Sequence, residues 1–297
     1  MSLTNKALWV IERNLERPLT LAELAQACSV SRYHLAHAFG AATGIPLMQY
    51  VRKRRLSEAA HRLASGQAPD ILELALDTGY GSHEAFSRAF RGQFGTTPEK
   101  VRREKSVETL TMIEALKARG NIEIELAPPR FVTGAPMLLV GLSERHSFES
   151  TERIPAQWQR FMASYGDIAD ETDPIPLGVS TNLDDDGTFE YVCAVEVREA
   201  SDLPKGFIQL RIPAQHYAVF AHLDHVATIG ATYYAIWDRW LPAHHHKAAD
   251  GPSLERHLAT FNPQTGLGGI EIWIPIEAAG RSAAATPNIM DVAHPPA

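Results

Sequence analysis

The chain has 297 residues, which is enough for about two domains of roughly 100–200 residues each. Hydrophobic residues make up 45% and charged residues 21%, a composition typical of folded proteins and not of disordered ones. We expect no membrane span, because no apolar stretch approaches ~20 residues, and no signal peptide at the N-terminus. The two cysteines, Cys28 and Cys193, are too few for a disulfide framework or a cysteine-based zinc site, which fits a reducing cytoplasm.

Charge is distributed unevenly along the chain. The net charge is -7 overall, but residues 1–106 carry +5 and residues 107–297 carry -12. Such asymmetry is typical of a nucleic-acid-binding segment joined to a domain of another kind, although an excess of +5 is also within ordinary variation of surface charge. The charge alone therefore leaves both interpretations open.

The first 106 residues have a helical pattern. An amphipathic segment over 7–15 is followed by a capping box, Thr20-Leu-Ala-Glu23, in which each side chain can bond to the other residue's backbone. We predict a short helix over 21–27, a tight turn over 28–30, and a helix capped by Ser31 that ends near Gly44. A long helix over 47–64 and a linking segment complete this unit.

The same order of signals then repeats. Asp70-Ile-Leu-Glu73 predicts a second capping box, and Gly79-Tyr-Gly81 predicts a second turn. Ser82 is expected to cap a helix that ends near Phe94-Gly95, and Thr97-Pro98 to begin a last short helix. The helices after Ser31 and Ser82 align without a gap, so two helix-turn-helix units are predicted in tandem.

A helix-turn-helix unit presents its second helix to the major groove of DNA, and two units can read two successive faces of one duplex. Arginine suits guanine, glutamate suits cytosine, and serine or histidine suits a base edge or phosphate. Arg52 and Lys53, at the start of the long helix, are better placed for phosphates. The candidate base-reading residues are Arg32, Tyr33, Ala36, His37, His83, Glu84, Ser87, Arg88 and Arg91.

Residues 18–103 resemble the AraC/XylS-type DNA-binding domain. The resemblance is carried by Ser31-Arg-Tyr-His-Leu-Ala-His-Ala-Phe39, Ala75-Leu-Asp-Thr-Gly-Tyr80, Phe86-Ser-Arg-Ala-Phe90 and Thr97-Pro98. It implies a cytoplasmic, nucleoid-associated regulator that binds double-stranded DNA and recruits RNA polymerase. The N-terminal position of the domain resembles the Rob-type arrangement. His37 stands where relatives often carry arginine, which puts guanine reading by the first unit in doubt.

After a predicted helical linker over 107–119, the pattern changes to strands. Residues 122–126 alternate between apolar and polar, as a strand does. Two halves then repeat the order β-α-β-β, the first over 137–197 and the second over 217–276. We expect an α+β domain over 120–278, with one antiparallel sheet, both helices on one side and a groove at a pseudo-two-fold axis. Residues 279–297 are predicted to form a flexible tail.

The last predicted strand places Glu271, Trp273 and Pro275 on one face. A carboxylate beside tryptophan suits an apolar cation at the floor of an aromatic groove, but the face could equally be solvated. The repeat matches Tyr191 to Glu271, so the two could face one another across the axis. The candidate ligand-binding residues are Glu271, Tyr191, Trp158, Phe161, Trp237, Trp240 and Trp273, although aromatic residues at such positions are commonly plain core.

This region resembles the GyrI-like (Rob/BmrR-type) effector-binding domain. The resemblance is carried by Ile212-Pro-Ala-Gln-His-Tyr-Ala-Val-Phe-Ala-His222, Tyr233-Tyr-Ala-Ile-Trp-Asp-Arg-Trp-Leu-Pro242 and Glu271-Ile-Trp-Ile-Pro275. It implies that the domain binds a small molecule, with Glu271 as the shared acidic residue. Some members of the superfamily instead hydrolyse electrophilic toxins.

The sequence thus predicts a DNA-binding regulator that responds to a small, apolar, possibly cationic effector, and not an enzyme. One alternative is a toxin hydrolase in which Glu271 activates water and Tyr191 assists. Another is a DNA-binding protein whose acidic domain only binds a further protein. No cofactor is expected, and no metal site is predicted at His244-His-His246, because successive side chains cannot easily face one ion.

Overall fold

A computed structural model describes residues 2–68, 70–116, 124–200, 203–244 and 246–277. Within these residues, no helix is both long and apolar enough to cross a membrane. The N-terminal part is all-helical, as predicted. Its helices are α1 Leu3–Glu12, α2 Leu21–Cys28, α3 Arg32–Thr43, α4 Leu47–Ser65, α5 Ile71–Asp77, α6 His83–Phe94 and α7 Pro98–Glu104.

The predicted capping signals define these helices. The Glu23 backbone N–H donates to Thr20 Oγ1 at 3.2 Å, and the Thr20 N–H donates to Glu23 Oε2 at 2.8 Å, which completes the capping box. Ser31 and Ser82 cap α3 and α6 by accepting from the His34 and Ala85 backbone N–H groups at 3.1 and 3.2 Å. Both of these helices end at a glycine with positive φ, 73° at Gly44 and 67° at Gly95. The two helix-turn-helix units predicted from the sequence are therefore confirmed.

The C-terminal part is built on one antiparallel sheet of eight strands. The strands are β1 Arg130–Gly134, β2 Met137–Ser147, β3 Glu171–Thr181, β4 Thr188–Val197, β5 Phe207–Ile212, β6 Gln215–His222, β7 Ser253–His257 and β8 Ile270–Pro275. Their spatial order is β1-β6-β8-β7-β3-β4-β2-β5. Strands β1, β2, β3 and β4 correspond to β5, β6, β7 and β8, and the order read from either end then gives the same series of equivalent strands. The pseudo-two-fold axis therefore passes between β3 and β7. Each half also contains a strand that the sequence analysis did not identify, β1 or β5, and that strand pairs with the other half.

Both helical covers lie on one side of the sheet, as predicted. Helix α8, Ile154–Ala163, packs Phe161 against β4. Helix α9, Ile229–Tyr234, continues through a π-helical turn, Ala235–Trp240, into α10, Leu241–Ala243. Trp237 of this second cover packs on Phe220 and Ile272. We call this side the helix face of the sheet. The opposite face has its own apolar core, in which Val179, Val219, Leu254 and Trp273 are buried.

The two domains share a core. Leu35 and Phe39 of α3 belong to the same buried cluster as Trp237, Ile272 and Ile274 of the sheet domain. The second helix-turn-helix unit has a separate core around Phe86 and Phe90. The first unit is thus packed against the sheet domain, whereas the core of the second unit is independent of it.

The prediction of a helical linker over 107–119 is wrong for its described part, since residues 107–116 contain no helix. Their backbone groups bond to side chains of α4 instead. The Ile113 N–H donates to Ser57 Oγ at 3.0 Å, the Leu116 N–H donates to Tyr50 Oη at 3.1 Å, and Arg54 donates to the Ile113 carbonyl at 3.1 Å. Anchoring to α4 replaces the internal hydrogen bonds that a helix would need.

The strand predicted over 122–126 is also wrong for residues 124–126, which form no strand. Two prolines, at positions 128 and 129, follow this segment and cannot donate to a sheet ladder, and β1 begins directly after them at Arg130. Residues 117–123 and the predicted tail over 279–297 lie outside the described residues.

A methyl group at Gly141 should destabilise the protein. A Cβ there would collide with the Cys193 carbonyl of β4 and lie 2.8 Å from the Ala194 Cβ. We expect Gly141→Ala to lower the free energy of unfolding by about 1–3 kcal/mol, measured by chemical denaturation. Gly166→Ala is the control, because a Cβ at Gly166 meets no atom within 4 Å. Equal stability of the two variants would contradict this account of the β2–β4 contact.

Candidate functional site

A carboxylate lies on the helix face next to the pseudo-two-fold axis. Glu255 of β7 is directly opposite Gly178 of β3, so no side chain from β3 covers it. Tyr191 donates to Glu255 Oε2 at 2.6 Å and Tyr233 donates to Oε1 at 2.8 Å. Trp158 of α8 donates its indole N–H to the Tyr191 hydroxyl at 3.2 Å. Both helical covers thus contribute to the surroundings of one carboxylate.

The electrostatics of this carboxylate are unusual. Burial raises the pKa of Glu255 above its ordinary value, and the hydrogen bonds from Tyr191 and Tyr233 offset only part of that effect. Burial and the nearby carboxylate raise the pKa of both phenols far above ordinary values, so both remain hydrogen-bond donors. Ionised Glu255 therefore costs free energy in the unliganded protein, and a cation placed beside it would relieve that cost.

Aromatic side chains lie around Glu255, which is half-buried as a residue. The Trp158 ring lies 4.9 Å from that of His257, which stacks on Phe261 at 4.3 Å. Burial lowers the pKa of His257, which favours its neutral form. Side chains of α8, α9, β4 and β7 thus flank one acid between the two helical covers. We call this region the Glu255 groove.

Glu271 does not lie in this groove. It pairs with Arg256 in the β7–β8 ladder, whereas Glu255 is the neighbour that points to the helix face. Arg130 donates to Glu271 Oε2 at 2.6 Å and Trp273 donates to the same atom at 3.0 Å. The prediction that Glu271 and Tyr191 face one another is wrong, because they project from opposite faces of the sheet.

The error is a register slip of one residue. Matching Tyr191 to Glu271 joins residues of opposite faces, because side chains alternate along a strand. Matching Glu190 to Glu271 instead aligns Phe189-Glu-Tyr191 with Ile270-Glu-Ile272 and keeps the faces together.

The other predicted wall residues occupy different environments. Trp158 lies in the groove, and Phe161 is buried beneath α8. Trp237 is fully buried between the sheet and α3. Trp240 meets Phe220 edge-on at 4.9 Å and stacks on His244 and His246 at 4.6 and 5.2 Å. Trp273 lies on the opposite face with Glu271.

Sequence reasoning missed Glu255 and Tyr233. The predicted β-α-β-β order places a strand before the last one, but the sequence analysis assigns no site residue to it. Ser253 and Glu255 share one face, and Leu254 and Arg256 share the other. The signal that could have identified the site is an acid on a central strand opposite a glycine, since that glycine leaves space above the sheet.

On the nucleic-acid side, α6 has the exposed surface that a reading helix needs. Glu84, Arg88 and Arg91 are exposed. At the start of the helix, His83 Nε2 lies 3.0 Å from Glu99 Oε1. Ser87 Oγ is buried. Arg88 and Arg91 are therefore the exposed arginines of α6.

The first unit differs. Arg32 is exposed at the start of α3, but Ala36 is buried, and Tyr33 and His37 are covered by the sheet domain. Arg52 and Lys53 of α4 pair with Asp186 at 2.6 Å and Glu149 at 3.8 Å, both in the sheet domain. In this arrangement, the predicted phosphate contacts are engaged within the chain.

The side chains of the described residues form no metal site. Among the residues that the structure describes, which exclude His245, no cluster of three or more histidine, cysteine or acidic side chains could hold a metal ion. His244 and His246 instead stack on Trp240.

Comparison with known proteins gives two family matches. Residues 127–277 match the GyrI-like small molecule binding domain, and residues 24–104 match a helix-turn-helix domain. Both resemblances inferred from the residues are confirmed by these matches.

Relatives match one or both parts. The right origin-binding protein of Escherichia coli strain K12 is 26% identical over 287 residues, which cover 90% of this chain and 95% of that protein. The multiple antibiotic resistance protein MarA of Salmonella typhimurium is 38% identical over 92 residues, which cover 31% of this chain and 72% of that protein. The structure of SAV2435 bound to tetraphenylphosphonium is similar with a TM-score of 0.43 and 19% identity, covering 51% of this chain and 94% of that one.

The raised pKa of Glu255 gives a testable pH dependence. A group whose pKa is raised by folding favours the folded state below its unfolded pKa, and this contribution is lost as pH rises through the folded pKa. We therefore expect the wild type to lose free energy of unfolding relative to Glu255→Gln as pH rises through the folded-state pKa of Glu255. Parallel pH profiles from chemical denaturation would contradict the assigned shift.

Proposed function

Since the chain belongs to the AraC-type regulators that carry a GyrI-like small molecule binding domain, we propose that it controls transcription in response to a lipophilic organic cation bound at Glu255. The family supplies DNA binding and small-molecule binding. The chemical class of the effector, the residues that hold it and the residues that read DNA are our proposals.

The observation that carries the proposal is a half-buried acid, Glu255, held by two phenols among aromatic rings. An organic cation exchanges its hydration for a negative charge and for the faces of rings such as Trp158. The phenols of Tyr191 and Tyr233 occupy one lone pair of each carboxylate oxygen and hold the carboxylate in place. A neutral ligand of equal shape would gain the apolar contacts but not the charge.

For DNA, α6 is the element we propose as a reader. Arg88 and Arg91 are exposed one helical turn apart, so both can reach one groove. The guanidinium group matches the O6 and N7 acceptors of guanine. Recruitment of RNA polymerase stays a prediction of the sequence resemblance.

The two alternatives fare differently. The family matches give no support to the hydrolase, whose two proposed residues, Glu271 and Tyr191, lie on opposite faces of the sheet. A domain that only binds another protein would have no saturable small-molecule site, which the following experiment tests.

Tetraphenylphosphonium is a suitable probe because it is a large apolar cation, and triphenylphosphine oxide is a comparable neutral molecule. We expect calorimetry on the full chain to show saturable binding of the cation, weakened about 10–100-fold by Glu255→Gln, since hydrogen bonds and contacts to a charged group contribute about 1.5–3 kcal/mol. Binding of the neutral molecule should change little.

Glu271→Gln is the matched control, as it removes the same charge from the opposite face. It should leave cation affinity unchanged. Loss of affinity in Glu271→Gln with retention in Glu255→Gln would return the site to the position inferred from the sequence. Absence of saturable binding by any cation or neutral probe would favour the protein-binding alternative.

Arg88→Ala should relax base preference at one position of the DNA site and weaken binding by about 1–3 kcal/mol. The measurement is fluorescence anisotropy on a duplex selected from a random library, followed by single-base variants of that duplex. Arg211→Ala removes an exposed arginine from the edge strand β5 and should leave affinity intact. Unchanged base preference in Arg88→Ala would remove α6 from direct reading.

A further inference from the structure

Helix α3, predicted to read DNA, lies against Trp237 on the helix face of the sheet. His37 stacks on Trp237 with ring centroids 4.6 Å apart and planes at 26°, and Tyr33 meets the same ring edge-on at 5.5 Å. His34 Nε2 lies 2.7 Å from the Trp237 carbonyl oxygen. Burial lowers the pKa of His37 to about 4, so the ring is neutral at physiological pH and fits this apolar contact.

Small residues let α3 approach closely. A Cβ at Gly40 would collide with the Phe148 ring, which follows β2 of the first half. Trp237 belongs to the second half, so α3 spans the two halves of the sheet domain. The four positions Tyr33, Ala36, His37 and Gly40 form its docked side, and three of them were predicted to read bases.

Tyr33 connects this contact to the effector site. Its hydroxyl donates to the Gly251 carbonyl at 3.0 Å and lies 3.3 Å from Ser253 Oγ. Ser253 precedes Glu255 by two residues on β7 and points to the same face. The Tyr33 hydroxyl therefore lies on the face that carries Glu255, beside the residue two positions before it on β7.

The surrounding contacts are complementary in charge. Arg52 pairs with Asp186 and Lys53 lies near Glu149, which joins the basic domain to the acidic one. At the start of α1, the Thr4 N–H donates to Asp238 Oδ1 at 2.7 Å. The exposed pairs are individually weak, about 0–1 kcal/mol each, so they are adjustable without disturbing either core.

We propose that α3 competes with the effector for the Glu255 groove. The docked helix closes one side of the groove and covers its own DNA-reading side, and an effector that fills the groove displaces α3. The proposal rests on the proposed function and adds its regulation. Effector and DNA then bind the same undocked state, so each raises the affinity for the other by an equal factor.

The test changes only the sheet domain, so that α3 itself stays intact. The variant Asp186→Lys with Glu149→Lys replaces the attraction to Arg52 and Lys53 by repulsion. It should therefore shift the population of α3 from the docked toward the undocked state, and we call it the undocking variant. The control, Asp185→Lys with Glu152→Lys, makes the same change of charge at exposed acids for which the structure gives no ion pair to the first unit. Three measurements on the full chain are compared: modification of His37 by diethylpyrocarbonate, affinity for tetraphenylphosphonium, and affinity for the selected duplex.

We expect the undocking variant to exceed its control severalfold in all three measurements. Saturating tetraphenylphosphonium should raise His37 modification and DNA affinity of the wild type, and should change the undocking variant less. A second variant, Gly40→Leu, places a side chain against Phe148 and should raise His37 modification and effector affinity. Adding Phe148→Ala should reverse part of that effect.

Two outcomes would overturn the proposal while leaving the proposed function intact. One is cation binding that depends on Glu255 but changes neither His37 modification nor DNA affinity. The other is equal DNA affinity of the undocking variant and its control. If no cation binds at Glu255, the effector class proposed above fails, and the comparison of DNA affinities still decides whether the docked helix opposes DNA binding.

Discussion

The arrangement of the two domains depends on the burial of Trp237. This indole is fully buried, with the sheet on one side and His37, His34 and Tyr33 of α3 on the other. A buried aromatic side chain of this size contributes several kcal/mol, so the first helix-turn-helix unit and the second half of the sheet stabilise one another. The second unit has its own core around Phe86 and Phe90 and does not depend on that contact. Helix α3 is therefore packed against the sheet domain through Trp237, whereas α6 belongs to the unit that has a separate core.

A second constraint is the glycine at the centre of the sheet. Gly178 leaves room beside Glu255, and any side chain there would meet the Tyr191 hydroxyl. Glu255 is thus half-buried at the centre of the sheet, and burial raises the pKa of its carboxyl group. A site that is costly when empty gains binding energy when a complementary charge arrives, because the ligand removes a penalty as well as adding contacts.

Much of this could be predicted from the sequence. Local rules located the helices of the first domain, because serine caps, a capping box and terminal glycines act within a few residues. The α+β repeat and the helices on one side also followed from pattern and resemblance. The face of Glu271 could not be inferred from the repeat alone, since a slip of one residue leaves the hydrophobic pattern plausible but reverses every side chain. The segment over 107–116 was mistaken for a helix because its hydrogen bonds come from Tyr50, Ser57 and Arg54 of a distant helix, which local patterns do not encode.

The burial of α3 also could not be read from the sequence, yet it explains the composition of that helix. Ala36 and Gly40 are small and the His37 ring is planar, so these residues suit close packing against Trp237 and Phe148. The contact is not fully satisfied: within the described residues, Trp237 Nε1 is buried and donates no hydrogen bond. An unsatisfied buried donor costs about 1–3 kcal/mol, which offsets part of the gain from burying the ring. A docked state weakened in this way lies closer in free energy to the undocked state, so a ligand needs only a moderate difference in affinity between the two states to shift their populations.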